Sequence, residues 1–186
     1  MKTNTYIVFD LEATCYDRED TSEVKPVGFK NEIIEIGAVK VDQDGNILDE
    51  FAKFLKPKKF PHISKFCTSL TTITQEDIDY ADDAEDVLAE FLEWIDGSIL
   101  VSWGMYDKRQ LRQDLKINGF DKELVNDSNH RSIKHEYAEW NGLRKKGIGL
   151  GGAIVREGLV FEGTAHRGID DAKNILRIFR LYKDRF

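Results

Sequence analysis

Cysteine is scarce in this chain of 186 residues: Cys15 and Cys67 are the only two. They show no metal-ligand spacing and no secretory leader is expected ahead of them, which weighs against a disulfide scaffold. Reduced thiols in a cytoplasmic protein are expected instead. Long apolar runs are missing too; none approaches the ~20 residues that a membrane-spanning helix needs, so no membrane partner is expected. Internal repeats, low-complexity tracts and a linker between domains are also absent. The chain is long enough for one well-buried core and too short for two ordinary domains, which predicts a single domain over residues 1–186. Positive charge is in deficit, with 27 Lys and Arg against 34 Asp and Glu, a formal net charge of −7. A nucleic-acid partner usually meets a basic surface, so this balance weighs against one unless part of the negative charge has another use.

That use is legible in three acidic segments. FDLEAT at Phe9–Thr14, SWGMYD at Ser102–Asp107 and HRGIDDA at His166–Ala172 supply Asp10, Glu12, Asp107, Asp171 and one histidine, His166. Four carboxylates brought together would repel and raise one another's pKa, a cost with little structural return. Divalent cations remove it. Two hard cations held by oxygen ligands are suited to in-line displacement at phosphorus, so these residues point to metal-assisted cleavage of a phosphodiester. With the four carboxylates assigned to metal, the formal charge of −7 becomes −3, and acidity no longer excludes a phosphate backbone.

Thr5–Glu12 is β-branched and aromatic without a helical period and predicts a buried strand, on which Asp10 and Glu12 share one face. The polar stretch from Cys15 to Asn31 is either a border of the active site or a tolerated insertion, being long for a connector. Glu32–Val41 and the segment from Asn46 predict a second and third strand, joined in a hairpin by Asp42, Asp44 and Gly45. Short helical turns follow, with Thr74 and Asp77 spaced as a capping box. Ala84–Ile95 has apolar residues at the helical period and ends before Gly97. SILVSW predicts a fourth strand leading into a helix over Tyr106–Asn118, with Asp107 in its first turn; a last helix begins near Gly168.

Periodicity chooses between the adjacent aspartates of the third segment. Ala172, Ile175, Leu176, Ile178 and Phe179 form an apolar stripe; Asp171 lies roughly 70° from its centre and Asp170 nearly opposite, as a solvated residue. His166 and Asp171 would stand about 140° apart on an unbroken helix, so they share a site only if His166 lies in the preceding loop, a break that Gly168 makes easy. A histidine with near-neutral pKa beside metals can deprotonate water. His62, His130 and His135 have no comparable acidic company and are expected at the surface or in local hydrogen bonds.

Asp-x-Glu, a distant Asp opening a helix, and His-x-x-x-x-Asp, in that order, resemble the DEDDh exonucleases, the DnaQ-like 3′→5′ superfamily, over nearly the whole chain. FCTSLTTITQEDID at Phe66–Asp79 and HRGIDDAKNI look like the Eri-type and KapD-like RNA exonucleases. The resemblance implies an α/β, ribonuclease H-like fold: a five-stranded mixed sheet flanked by helices. It also implies two Mg²⁺ or Mn²⁺ ions held by Asp10, Glu12, Asp107 and Asp171, and His166 as general base. The partner implied is single-stranded nucleic acid with a free 3′-hydroxyl, RNA favoured, releasing nucleoside 5′-monophosphates. Glu12, the Ala13 backbone and His166 would surround the terminal nucleotide, with Leu70 and Thr71 beside its base or sugar. Trp103 and Tyr106 either stack on bases or belong to the core. The basic runs Lys56, Lys58, Lys59 and Arg144, Lys145, Lys146 either track phosphates or are solvated. Two departures stand out: Thr71-Thr72 replaces the Thr-Gly of many relatives, and no nucleic-acid-binding domain is expected ahead of the catalytic one. Rival readings are a single-stranded DNA exonuclease, a phosphodiesterase for short oligonucleotides, and a catalytically silent RNA- or partner-binding module.

Overall fold

The computed structural model describes residues 5–17, 19 and 23–185. Part of the Cys15–Asn31 loop, residues 18 and 20–22, therefore lies outside the described residues. Five strands, β1 (Tyr6–Ala13), β2 (Ile33–Val41), β3 (Ile47–Phe54), β4 (Ile99–Ser102) and β5 (His130–Ser132), form one sheet in the order β3-β2-β1-β4-β5. The first three pair antiparallel, whereas β1/β4 and β4/β5 are parallel, so the sheet is mixed. The expected hairpin joins β2 and β3, with Gly45 at φ 79° as the residue free to take the left-handed turn.

β1 is central and buried on both faces, and its alternation explains where the acids go. Ile7, Phe9 and Leu11 enter one core with Val87, Leu88 and Phe91 of α3 (Ala84–Ile95) and with Leu111 and Leu115 of α4 (Tyr106–Ile117). Tyr6 and Val8 enter the other, beneath Ile175, Leu176 and Phe179 of α7 (Gly168–Leu181). By period two, Asp10 and Glu12 continue the face that α7 covers. The stripe predicted on α7 is the stripe found: Ala172, Ile175, Leu176, Ile178 and Phe179 are all buried.

The helical turns expected before α3 are α1 (Lys65–Thr71) and α2 (Gln75–Asp79), the latter opened by the Thr74–Asp77 capping box. α3 has its expected bounds, but its stop is Asp96, left-handed at φ 40°, before Gly97. The residues of β5, a strand implied only in number by the resemblance, and the helices α5 (Ile133–Trp140) and α6 (Leu150–Arg156) were not placed by the sequence-based expectation. β5 has only three residues, and α6 carries two glycines among seven, a composition that disfavours helix.

Thr72, at the departure from Thr-Gly, caps α1 at φ 64°, where a β-branched residue is strained. It is exposed, so little packing would be lost on replacement. Thr72→Gly is expected to stabilise the protein by about 1 kcal/mol, the left-handed penalty less the extra entropy of glycine. Thermal denaturation of the two proteins checks it; a lower melting temperature for the variant would show that Thr72 contributes a contact worth more than its strain.

Candidate active site

The C-terminal end of β1, the turn between β4 and α4, and the N-terminal end of α7 meet at a cavity of about 460 Å³. Asp10, Glu12, Asp107, Asp171 and His166 all line it, with Trp103 and Tyr106. The rest of the wall includes Leu150, Gly151, Phe161 and Ala165, supplied by α6 and the loop before α7. Clefts beyond the carboxyl ends of parallel strands are where open α/β sheets place ligands, and β1 and β4 are such a pair.

Two glycines set the distance between the sheet and α7. Gly37 on β2 sits opposite Asp10, and a Cβ there would stand 1.9 Å from the Gly168 carbonyl carbon and the Ile169 nitrogen. Backbone therefore packs on backbone, and the first turn of α7 delivers Asp171 beside Asp10 and Glu12. Gly168 has this role rather than the expected one of breaking the helix. The break is at His166, whose own φ is 62° and whose N–H donates to Asp171 Oδ2 at 3.0 Å. One ligand atom each from Glu12, His166 and Asp171 lies within 4.8 Å of the others.

Glu35 was missed in the sequence. It is buried on β2 directly across from Glu12, and its Oε1 accepts from Arg167 Nη2 at 3.0 Å while Oε2 accepts the Gly168 N–H at 2.9 Å. The pair fastens the turn behind His166 to the sheet. A signal for it existed: one acid at a position of EIIEIGAVKV that strand alternation places on the face of Ile33 and Gly37. Asp170, expected to be merely solvated, is half-buried and accepts the Thr164 N–H at 2.8 Å, ordering the loop ahead of His166. His130, expected at the surface or in a local bond, is buried on β5 with its Nε2 3.0 Å from the Ser102 hydroxyl, and burial lowers its pKa to about 4. His62 and His135 are exposed.

Of the remaining residues singled out, Trp103 is half-buried, donates from Nε1 to the Ile148 carbonyl at 3.1 Å, and packs on Tyr137, so it belongs to the core and to the cavity wall together. Tyr106 is exposed, and its hydroxyl accepts from Asn31 at 3.4 Å, which brings the end of the long loop to the cavity rim. Leu70 is exposed outside this cavity lining. Ala13 and Thr71 are buried outside it too; the Thr71 hydroxyl donates to the Cys67 carbonyl at 2.9 Å and accepts the Ile73 N–H, leaving that side chain turned inward.

The electrostatics are those of a crowded, buried acidic cluster. Burial, followed by Asp107, Asp171 and Glu12, holds the Asp10 carboxyl well above the usual range. Burial and then Asp171 and Glu35 raise Glu12 to about 8; burial raises Asp107 to about 7 and Asp171 to about 6. Hard oxygen donors, crowded and desolvated together, fit divalent cations.

The RNase_T family model, described as an exonuclease, matches residues 7–179. The chain is 31% identical over 183 residues to the probable 3′-5′ exonuclease KapD of Bacillus subtilis, covering 97% of this chain and 85% of that protein. It is 30% identical over 187 residues to 3′-5′ exoribonuclease 1 of Homo sapiens, covering 92% of this chain but only 50% of the human protein. The nuclease domain of 3′hExo, a DEDDh family member bound to rAMP, superposes with a TM-score of 0.85 at 26% identity, covering 99% of this chain and 94% of that one. Exonuclease I, at 14% identity and a TM-score of 0.76, shares the fold. The five-stranded mixed sheet with its helices is thus the ribonuclease H-like arrangement.

Proposed function

Because the chain belongs to the RNase_T exonuclease family, we propose that it removes nucleotides one at a time from the 3′ end of single-stranded RNA, releasing nucleoside 5′-monophosphates. The observation that carries this is the convergence of Asp10, Glu12, Asp107, Asp171 and His166 on one cavity. RNA is favoured over DNA by the relatives named exoribonucleases and by the rAMP in the similar nuclease domain.

Asp10, Glu12, Asp107 and Asp171 would hold two Mg²⁺ or Mn²⁺ ions, which when bound polarise the phosphoryl group and offset charge on the leaving oxygen. His166, exposed at the cavity rim and tied through its backbone to Asp171, takes the proton from the attacking water. Glu35 and Arg167 hold its turn in place. Trp103 and Tyr106 offer ring surface for bases without sequence preference.

The test uses 5′-labelled strands. Linear RNA with a 3′-hydroxyl should shorten from its 3′ end in Mg²⁺ or Mn²⁺, a 3′-phosphate should inhibit strongly, and chelator should stop the reaction. Circular RNA consumed as fast as linear RNA would sink the exonucleolytic reading, and faster attack on matched DNA would transfer the assignment to a deoxyribonuclease.

A further inference from the structure

Metal at the catalytic cavity would serve only the terminal phosphodiester, so attraction for the rest of a polyanionic strand to this acidic protein has to come from elsewhere on the surface. A second cavity, of about 370 Å³, is lined by Lys30, Lys59 and Lys116, together with Phe60, Gln113 and Glu32. All three lysines are exposed, and none forms an ion pair among the described residues. The contrast within one basic run is informative: Lys58 pairs with Glu85 at 3.2 Å, while Lys59 beside it faces the cleft. Glu32 forms no ion pair with them among the described residues. It is fully buried, and its oxygens accept the backbone N–H groups of Lys58 at 3.0 Å, Lys59 at 3.1 Å and Phe60 at 2.8 Å, so that its charge fixes the turn that presents Lys59 and Phe60.

This cleft is joined to the catalytic cavity through Asn31. Its carbonyl accepts from Gln110 at 2.7 Å and from Gln113 at 2.6 Å on α4, and its side chain reaches the Tyr106 hydroxyl at the catalytic rim. α4 runs from Tyr106 in one cavity to Lys116 in the other. At 1.5 Å of rise per residue that is roughly 15 Å, a span of a few nucleotides.

We infer that the lysine cleft holds phosphodiesters of the substrate strand a few nucleotides upstream of its 3′ end, a conclusion that rests on the exonuclease reading above. Lysine contacts to phosphate carry affinity without sequence information. Grip therefore increases with substrate length, and a strand too short to reach the cleft gains nothing from it.

The variant Lys30→Gln/Lys59→Gln/Lys116→Gln tests this, since three exposed side chains leave the core untouched. KM for a long single-stranded RNA is expected to rise by about 10-fold to 10²-fold at about 0.1 M salt with kcat unchanged, and the log–log salt slope of binding to fall by about 2. kcat/KM for a dinucleotide should not move. An unchanged KM and salt slope on the long strand, or the same loss on the dinucleotide, overturns the proposal. Binding of a 3′-phosphorylated long RNA, followed by fluorescence anisotropy, separates it from the reading beneath it. A wild type that binds this strand through the lysines yet hydrolyses no RNA would remove the exonuclease assignment and leave the cleft standing. AMP binding weakened by the triple substitution, with long-strand binding intact, would make the cleft a mononucleotide site and refute the proposal.

Discussion

Asp107→Asn is expected to melt at a higher temperature than the wild type in chelator at about pH 8, and to have almost no nuclease activity. Asp107 is 4% exposed and burial raises its pKa to about 7. A carboxyl whose folded pKa lies above its unfolded value favours the fold only while protonated. The metal-free protein therefore loses stability as pH rises from about 4, where the unfolded chain ionises, through about 7, and carries the full penalty above that. Glu12, raised to about 8, extends the window upward. At about 1.4 kcal/mol per pKa unit, and discounting for relaxation, one neutralised member is worth on the order of 2 kcal/mol, or about 4–8 °C in a chain of this size. Near pH 4 the advantage of asparagine should vanish. Mg²⁺ should raise the melting temperature of the wild type by mass action and reverse the ranking. Activity should fall by more than the ~10–100-fold typical of losing an outer-shell partner, if Asp107 is a ligand itself as proposed above. Scanning calorimetry across pH, with and without Mg²⁺, checks the stability half. A variant that melts lower than the wild type in chelator at high pH, with no Mg²⁺ effect on the wild type, would mean that these carboxylates do not act as one cluster.

His166 replacements should lose about 10²–10⁴-fold in turnover, the usual worth of a general base, while keeping the Mg²⁺-induced rise in melting temperature. The choice of residue matters, because φ at this position is 62°. Alanine there adds backbone strain to the chemical loss, whereas asparagine tolerates the left-handed region and isolates the chemistry. His166→Asn is thus expected to match the wild type in stability and His166→Ala in activity. Asp170→Asn is the control: its side-chain oxygen can still accept the Thr164 N–H, so most activity should remain. Single-turnover rates decide, and a fast His166→Asn enzyme beside a dead Asp170→Asn one would reverse the assignment of the two residues.

Much of this site was legible because strong periodic signals carry it. Period two on β1 put Asp10 and Glu12 on one face, and the stripe on α7 selected Asp171 over Asp170. α3 and α4 were readable from apolar spacing alone. What stayed hidden has no such period. β5 is three residues long, and α6 forms despite Gly151 and Gly152 because Ala153 and Ile154 are drawn into the core. Consequently the cavity wall at Leu150 and Gly151 could not be foreseen. Glu35 had its alternation signal, but its role was hidden by distance: its partners, Arg167 and Gly168, lie more than a hundred positions away, and only the folded sheet brings them together. Thr71 shows how a motif position near a site can also be engaged at its own helix end, where its hydroxyl donates to the Cys67 carbonyl.

The contact of Gly37 with Gly168 has an evolutionary corollary. Where an intervening side chain sets the spacing of two elements, each repacking of the interior shifts them, and catalysis drifts with every core substitution. Here the separation of Asp10 from Asp171 is fixed where main chain meets main chain, at the end of α7 remote from Ile178 and Phe179. The hydrophobic interior beneath the helix can accordingly change in size and shape, so long as α7 stays hinged at its first residue, without altering the spacing of Asp10 from Asp171.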